Sequence, residues 1–329
     1  MKSTAIANAN IALTKYWGKR EDKLILPHQS SVSVTLHGLT ATTTVEFDKK
    51  YSQDVFLLNG QEQSGEELER VVDILNILRQ RAGSALHTKV MSTNNFPTVA
   101  GFASSAAGAA ALALAASKAI GLSLDEIELS ILARQNSGSG TRSVSGGFVQ
   151  WLRGEKNDGS DSYGIQLANE KHWPEFRILA CITTRQAKKI KSRAGMKQSV
   201  ANCPYYSAWK ESANKDSDEM KKLILKKDFT ALGQLAEHNC LKMHAVMMAT
   251  TPSIIYWNEK TVQLMHAIIE WREQGLECYF TMDGGPQVKI ICLAKDVAEI
   301  IKRVKEQGID EVLECRPGEG VRSTDNHLF

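Results

Sequence analysis

The chain has 329 residues, enough for about two domains of ordinary size. Hydrophobic residues make up 43% of it and charged residues 23%, which is typical of globular proteins and excludes collagenous and disordered classes. The formal net charge of +3 is too small for a protein whose main function is to bind nucleic-acid phosphates.

No segment predicts a membrane crossing or an export signal. The most apolar stretch, 106–120, is largely alanine and contains Ser117 and Lys118, so it falls short of the ~20 strongly apolar residues that a crossing needs. The residues after Met1 lead directly into a strand-like pattern without a secretory hydrophobic core. Six scattered cysteines contain no CxxC pair, which argues against a zinc cage or a dithiol redox centre. These features predict a cytoplasmic protein with reduced core thiols.

The first part of the chain predicts a sheet with one helix. β-branched residues in partial alternation predict strands at 4–13, 31–36, 42–47, 54–58 and 87–91. An Asn59-Gly60 pair predicts a turn after the fourth of these strands. Apolar residues at helical spacing predict a helix over 66–81, so the order becomes mixed α and β.

The middle of the chain predicts two helices and then further strands. An alanine-rich helix begins near Ser104, and Ser123 with Glu126 predicts a capping box at the start of the next helix. A polar turn at 136–140, a strand at 146–151, a loop at 154–164 and a strand at 177–183 follow. We place the division between two domains, 1–184 and 185–329, after this last strand.

The remainder of the chain predicts an α+β sandwich. Long periodic segments predict helices at 230–249 and 254–274. A strand, a turn around Asp283 and a second strand follow, and then a helix and a strand that ends at Cys315.

A loop of small residues from Pro97 to Ser105 runs into the alanine-rich helix. Small side chains let the backbone approach a ligand, and the unpaired N–H groups of a helix start favour an anion. The segment lacks the Walker lysine and the G-x-G-x-x-G dinucleotide pattern. It therefore predicts either a phosphate-binding loop or a small-residue helix packed closely against a sheet.

Two further segments combine cations with other polar or aromatic groups. In 137–143, several serines accompany Arg142, whose planar fork suits a carboxylate or phosphate; the alternative is a loop with a solvated arginine. In 15–20, three cations accompany Tyr16 and Trp17 directly after a strand; the alternative is a basic surface turn with a packed Trp17.

Asp283 is followed by Gly284 and Gly285 at the end of a predicted strand. The glycines allow a substrate to approach the carboxylate, which can accept a proton from a hydroxyl nucleophile; the alternative is an ordinary Asp-Gly turn. The basic run 188–193 is either a solvated face or a means of concentrating an anionic ligand. His238 and His244 are six residues apart, which does not suit a helical metal pair and favours capping or core hydrogen bonding.

Taken in order, these segments resemble the diphosphomevalonate decarboxylases, a family of the GHMP kinase superfamily. The resemblance spans nearly the whole chain, and its Tyr-Trp-Gly-Lys and Asn-Asn-Phe-Pro-Thr runs are specific within the superfamily. The segments that carry it are Asn10–Leu13, Lys15–Arg20, Asn94–Gly108, Ser137–Ser139, Arg142–Ser143 and Asp283–Pro286.

The resemblance implies an α+β, two-domain GHMP kinase-like fold with an active-site cleft between the domains. Its N-terminal domain would be ribosomal protein S5 domain 2-like and bind ATP, and its C-terminal domain would be a ferredoxin-like α/β sandwich. The implied reaction converts (R)-5-diphosphomevalonate and ATP, with Mg²⁺, to isopentenyl diphosphate, CO₂, ADP and phosphate in the mevalonate pathway. A homodimer is common among relatives, and neither nucleic acid nor a membrane is an expected partner.

Alternative activities are a decarboxylase of 5-phosphomevalonate, a mevalonate-type small-molecule kinase, and a nucleotide-binding relative without catalysis. Gln29, Gly284 and Gln287 stand where the family frequently has Asn, Ala and Asn, and Gly140-Thr141 stand where it often has Ala-Cys. Because Gly284 and Gln287 flank the catalytic position, they bear on the phosphorylation state of the preferred substrate.

By position, the resemblance implies catalytic roles for Asp283, Arg142 and Lys15. Asp283 would orient the C3 hydroxyl and take its proton, Arg142 would orient the substrate carboxylate, and Lys15 would help to neutralise phosphate. The implied substrate contacts are Tyr16, Trp17, Gly18, Lys19, Arg70, Ser137, Gly138, Ser139, Gly140, Thr141, Arg142, Ser192 and Arg193. The implied ATP contacts are Pro97, Ala100, Gly101, Ala103, Ser104, Ser105 and Ala106. Mg²⁺ would be held mainly by the ATP phosphates, near Ser105.

Overall fold

The structure, a computed structural model, describes residues 1–96 and 104–329, and both strands and helices occur along them. The first elements are β1 (Lys2–Thr14), β2 (Lys19–Glu21), β3 (Leu26–Pro27), β4 (Ser31–Phe47), β5 (Val55–Leu58), β6 (Gln61–Glu62), α1 (Glu66–Ala82), β7 (Thr88–Asn94), α2 (Ser104–Ala119), α3 (Glu126–Asn136), a 3₁₀ helix (Gly138–Ser143), β8 (Phe148–Trp151) and β9 (Gly164–Ala168). The later elements are β10 (Phe176–Cys181), α4 (Ser192–Asn202), α5 (Tyr206–Lys226), α6 (Phe229–Ala249), α7 (Glu259–Glu273), β11 (Tyr279–Thr281), β12 (Val288–Leu293), a 3₁₀ turn (Ala294–Asp296), α8 (Val297–Glu306), β13 (Val312–Cys315) and β14 (Arg322–Thr324).

The first sheet is built around the antiparallel pair β1 and β4. Its strands follow the order β14-β1-β4-β7-β5-β6, and β8 and β9 extend it from β4. The buried alanines of α2 pack against β1 and β4, because side chains this small let a helix lie close to a sheet. The segment predicted as two strands, 31–36 and 42–47, is one strand whose register shifts between Asn8 and Asn10 of β1.

The second sheet has the strand order β11-β12-β10-β13. Buried apolar residues of β12, such as Val288 and Ile290, share a core with Leu264 and Ile268 of α7. The predicted domain division at residues 184 and 185 stays a prediction; a cut there would separate β10 from β12 and β13, with which it pairs.

Several helix boundaries differ from those that the sequence patterns predict. The capping box of α3 uses Asp125 and Glu128, not Ser123 and Glu126. The predicted helix 254–274 begins only at Glu259, because Asn258 and Thr261 form a capping box there. Neither α4 nor α5 was predicted. The Asn59-Gly60 turn is confirmed between β5 and β6, with φ of 50° and 80°.

Among the described residues, no helix combines the length and the apolar character that crossing a bilayer requires.

Candidate active site

A crevice of about 570 Å³ lies where the two sheets and their helices meet. It brings together most of the site residues that the sequence predicted and that the structure describes. Those that line it are Lys15, Tyr16, Trp17, Lys19, Arg70, Ser104, Ser105, Ser137, Gly138, Ser139, Arg142, Ser192, Arg193 and Asp283. They come from segments as far apart as the end of β1 and the turn before β12.

Four other predicted contacts lie behind the crevice wall. Gly18 (φ 111°) leaves no room for a side chain, because a Cβ there would fall 1.7 Å from the Tyr206 hydroxyl. A Cβ on Gly140 would fall 2.7 Å from the Ala109 Cβ, and Thr141 and Ala106 are fully buried. These residues position the wall without lining the crevice. Pro97, Ala100, Gly101 and Ala103 lie outside the described residues.

Lys15 and Asp283 form an ion pair in the crevice although 268 positions separate them in the sequence. The Lys15 ammonium donates to Asp283 Oδ1 at 2.9 Å and to the Ala12 carbonyl at 2.7 Å. Lys15 is 1% exposed, whereas the Asp283 side chain is 28% exposed and still faces the cavity. Burial by itself raises the pKa of Asp283, but Lys15, Lys289 and Arg142 outweigh it and hold the pKa below its usual value. Asp283 is therefore an anion at neutral pH.

Arg142 lies buried beside this pair. Its Nη1 donates to Ser31 Oγ at 2.6 Å and its Nη2 to Asn10 Oδ1 at 3.3 Å. Its Nε has no hydrogen-bond partner among the described residues. Burial lowers the pKa of Arg142 to about 10, and Asp283 opposes that shift, so the guanidinium stays charged at neutral pH. A buried charged group with an unused donor is suited to receive an anionic ligand.

A further layer of polar groups supports this pair from behind. The Lys15 backbone N–H donates to Asn239 Oδ1 at 2.8 Å, and Asn239 Nδ2 donates to Asp216 at 2.6 Å. His244 is 2% exposed, and its Nε2 has no hydrogen-bond partner among the described residues. Capping or core hydrogen bonding by the histidines of this helix stays a prediction. Burial lowers the pKa of His244 to about 3, so its ring is neutral. Of this layer the sequence patterns singled out His244 alone.

Partly exposed cations surround the mouth of the crevice. Lys19 pairs with Asp22 at 2.9 Å, and Arg193 donates to the Asn136 carbonyl at 2.7 Å and lies 3.5 Å from Glu66. Lys188 donates to Ser192 Oγ at 2.7 Å and to the Gly284 carbonyl at 2.8 Å. The basic run 188–193 thus lies along the crevice. We call Lys15, Arg142 and Asp283, together with the buried Lys289 behind them, the floor, and Lys19, Arg70, Lys188 and Arg193 the rim.

The residues at three positions that depart from the pattern of the resembled family make close contacts. A Cβ on Gly284 would lie 2.9 Å from the Trp17 ring, so glycine fits there with least strain. Gln287 binds the backbone of the segment that follows β10. Its Oε1 accepts from the Thr183 N–H at 2.6 Å, and its Nε2 donates to the Thr184 carbonyl at 2.5 Å. Gln29 donates to the Trp17 carbonyl at 3.0 Å.

A second cavity of about 390 Å³ adjoins the crevice, and the sequence patterns did not predict it. The two share Glu67, Arg70, Ser104 and Ser105 as lining residues. Its apolar walls come from Phe56, Leu58, Val71, Val90 and Leu112. Its polar groups come from Thr43, Gln63, Ser92, Asn94 and Asn136. Apolar walls with a few amides and hydroxyls suit a heteroaromatic ring.

Metal-binding side chains do not cluster in the described part of the chain, where no group of three or more His, Cys, Asp and Glu residues could hold an ion. Any divalent cation in the crevice would therefore depend largely on oxygens of a ligand. The arrangement as a whole can bind an anionic molecule and orient its carboxylate and hydroxyl.

Comparison with known proteins points to one family over nearly the full length. The family model described as "Diphosphomevalonate decarboxylase-like N-terminal domain" matches residues 7–164, and "Mevalonate 5-diphosphate decarboxylase C-terminal domain" matches 178–316. The diphosphomevalonate decarboxylase of Rattus norvegicus is 39% identical over 321 residues, which cover 92% of this chain and 79% of the relative.

Two solved structures are similar over almost all of the chain. A crystal structure of mevalonate diphosphate decarboxylase from Staphylococcus aureus has a TM-score of 0.93 and 37% identity, covering 98% of both chains. A structure described as MDDEF in complex with MVAPP, AMPPCP and magnesium has a TM-score of 0.92 and 38% identity, covering 99% of both chains.

Proposed function

Because this chain belongs to the diphosphomevalonate decarboxylase family, we propose that it catalyses the ATP-dependent decarboxylation of (R)-5-diphosphomevalonate in the mevalonate pathway. The products are isopentenyl diphosphate, CO₂, ADP and phosphate. The predicted two-domain GHMP kinase-like fold is confirmed by the similarity to solved members. The observation that carries the proposal is the floor, where an ionised Asp283 lies between Lys15 and a buried Arg142 with an unused donor.

The substrate would lie with its reacting end on the floor and its diphosphate at the rim. The C3 hydroxyl approaches Asp283, and the C1 carboxylate takes the free Nε of Arg142. Lys19, Ser192 and Arg193 receive the diphosphate, together with the buried Tyr16 hydroxyl, which has no other partner among the described residues. Binding the remote diphosphate fixes the position of the reacting carbon.

Asp283 acts chiefly as an orienting acceptor for the C3 hydroxyl. Since neighbouring cations lower its pKa, it is a weak base, and it takes the hydroxyl proton only as the phosphoryl group arrives. The hydroxyl oxygen forms a bond to the γ-phosphorus while the bond to the β-phosphate oxygen breaks and ADP leaves. The new phosphate then departs from C3 with the C–O electron pair.

In the decarboxylation step the substrate carboxyl carbon leaves as CO₂. The pair of electrons in its bond to C2 becomes the C2–C3 double bond, which quenches the positive charge that develops at C3. Arg142 holds the carboxylate in line for this cleavage, and the anionic Asp283 lies close to the developing cation.

ATP would occupy both cavities. Its triphosphate lies at the start of α2 beside Ser104 and Ser105, with the predicted loop contacts outside the described residues, and its base enters the second cavity. When bound, Mg²⁺ would supply charge neutralisation for the transferring phosphoryl group. Ser105, which lines both cavities, is the hydroxyl that we assign to the neighbourhood of the ion.

The deciding experiment supplies the purified chain with Mg²⁺-ATP and 5-diphosphomevalonate and measures CO₂ and ADP together. We expect the two products in equal amounts. ADP without CO₂ would show that the chain is a kinase of the superfamily. Turnover only of 5-phosphomevalonate would show that it is the other decarboxylase. Absence of both products with every substrate would favour a nucleotide-binding relative without catalysis.

We also propose that the protein works in the cytoplasm as a homodimer. All six cysteines are free and buried, which suits a compartment that keeps thiols reduced. Family resemblance is the support for the dimer. Sedimentation velocity should show a species of twice the chain mass, and a concentration-independent monomer would contradict the dimer.

A further inference from the structure

Two neighbouring residues of α6, Asn239 and Cys240, bind the backbone at both ends of the Lys15–Asp283 ion pair, and both are fully buried. Asn239 Oδ1 accepts from the Lys15 N–H at 2.8 Å. Cys240 Sγ accepts from the N–H of Met282, the residue before Asp283, at 3.1 Å and donates to the Met282 carbonyl at 3.4 Å. Because adjacent side chains of a helix point about 100° apart, a single turn of α6 can hold two separate segments.

At one end of the pair, the Lys15 N–H needs a partner outside the first sheet. β1 ends at Thr14, which is also its last residue in register with β4. A buried N–H without a partner is costly, and the Asn239 side chain supplies that partner. The Lys15 ammonium then turns back to the Ala12 carbonyl and reaches Asp283. The position of the backbone at Lys15 therefore determines where its ammonium can lie.

The orientation of the Asn239 amide is determined by a carboxylate of α5. Asn239 Nδ2 donates to Asp216 Oδ2 at 2.6 Å, and the Lys242 ammonium lies 2.5 Å from the same oxygen. An ionised carboxylate accepts hydrogen bonds and donates none. Asp216 therefore selects the amide orientation in which Asn239 Oδ1 faces the Lys15 N–H.

At the other end of the pair, the Cys240 thiol binds the residue that links β11 to Asp283. β11 ends at Thr281, so Met282 lies just past the strand, and the thiol bonds both its N–H and its carbonyl. Burial raises the pKa of Cys240, so the thiol keeps the proton that it donates to the Met282 carbonyl. The Asp283 side chain consequently starts from a backbone position that α6 holds.

We propose that Asn239 and Cys240 are positioning residues for the chemical step: by holding the backbone at Lys15 and at Met282, they set the distance between the Lys15 ammonium and the Asp283 carboxylate. This inference rests on the proposed function. The pair joins residues 268 positions apart, and a displacement of about 1 Å at a reacting centre can cost on the order of 10²-fold in rate. The diphosphate is assigned to the rim, so substrate binding should depend little on these contacts.

The first test compares kcat and KM of C240A, C240S and C292A. Cys292 of β12 is equally buried in the same apolar core, and its thiol has no hydrogen bond to the described residues of the crevice, so C292A is the matched control. C240A should lower kcat about tenfold with KM for diphosphomevalonate within about twofold of wild type. C240S keeps a donor and an acceptor and should bring kcat back to within about threefold of wild type. A folded C240A with the kcat of C292A would overturn the role of Cys240.

The second test exchanges the groups of Asn239 and Asp216. N239D places two carboxylates side by side, so we expect kcat to fall about tenfold or more. In N239D/D216N the new carboxylate accepts from both the Lys15 N–H and the new amide, which restores both hydrogen bonds with donor and acceptor exchanged. The double variant should regain kcat to within about threefold of wild type. A folded double variant with a tenfold loss would count against the role of Asn239, whether or not N239D alone folds.

A readout without catalysis is the distance from Lys15 Nζ to Asp283 Oδ1 in crystal structures of wild type, C240A and C292A. We expect it to stay near 2.9 Å in wild type and C292A and to exceed hydrogen-bond distance in C240A. An unchanged distance in C240A would overturn the inference even if kcat falls, and would leave the proposed function intact. If the wild type makes no CO₂, the proposed function fails and this distance alone judges the positioning role. If C240A does not fold, C240S decides: a folded C240S in which the ion pair is broken and kcat falls tenfold would count against the role, because its hydroxyl can make both bonds.

Discussion

The floor and the rim of the crevice both carry cations, but in opposite surroundings. On the floor, Lys15 and Lys289 are each 1% exposed and Arg142 is 3% exposed. At the rim, Arg193 is 36% exposed and Lys188 lies at the surface. Removing one partner of a buried ion pair leaves the other charge unpaired in a low dielectric, whereas water and salt screen the loss of an exposed charge.

We expect the buried and the exposed cations to have different roles in the site. Buried groups fix geometry and protonation where bonds change, so their loss should appear in kcat. Exposed groups attract and anchor the diphosphate, so their loss should appear in KM and in its dependence on salt.

The largest effect is expected for D283N. The substitution keeps the shape of the side chain but removes the negative charge that orients the hydroxyl, so we expect kcat to fall by roughly 10³-fold or more. Single-turnover assays of ADP release measure it, and calorimetry checks that diphosphomevalonate still binds. Near-normal turnover would show that Asp283 does not orient the hydroxyl. It would also contradict the assignment of the chemical step to the buried groups.

A smaller loss is expected for R142Q. Glutamine can keep a hydrogen bond to Ser31 but brings no charge to the substrate carboxylate, so we expect kcat/KM to fall about 10²-fold. A kcat that is retained while KM rises would show that Arg142 serves binding as the rim residues do. R134Q is a poor control because Arg134 is buried in carbonyl contacts; R81Q, at an exposed arginine that pairs with Glu128, is suitable.

The sequence predicted three of the four floor residues, Lys15, Arg142 and Asp283, but not Lys289. Asp283 and Arg142 each lie in a turn rich in small polar residues, which is a local pattern. Lys289 alternates with Val288 and Ile290 in a strand, and such a lysine is ordinarily expected to face solvent. Its burial depends on α6 and the end of β1, which are distant in sequence.

The same reason explains the helices that the sequence patterns missed. On α5, the buried positions Trp209, Ala213 and Ser217 keep helical spacing, but alanine and serine weaken the apolar pattern. Before α7, Ile254 and Tyr256 extend an apolar periodicity although the chain is not helical there. Tertiary packing determines where both helices begin and end, so local periodicity could not predict these boundaries.

The pH dependence of the free energy of unfolding tests the burial of His244, which lies behind the floor. Its folded pKa of about 3 lies below the ordinary value of 6.5, so between these values the unfolded chain binds a proton that the folded chain does not. Stability is therefore fully present above about pH 6.5 and is lost as pH falls toward 3. We expect wild type to lose ~2 kcal/mol more than H244Q between about pH 7 and 5 in urea unfolding. H238Q, at an exposed histidine of the same helix, should behave as wild type.

The smallest effect is expected at the rim. R193Q removes one partly exposed cation near the predicted diphosphate site, and we expect KM to rise about tenfold with kcat within roughly threefold of wild type. Added salt should raise the wild-type KM and narrow its difference from R193Q, because ions screen the exposed charge but not the buried floor. R81Q again serves as the control. A loss in kcat that salt does not change would show that Arg193 acts as the floor residues do. In that case contact with the substrate, and not exposure to solvent, would decide whether a cation affects kcat or KM.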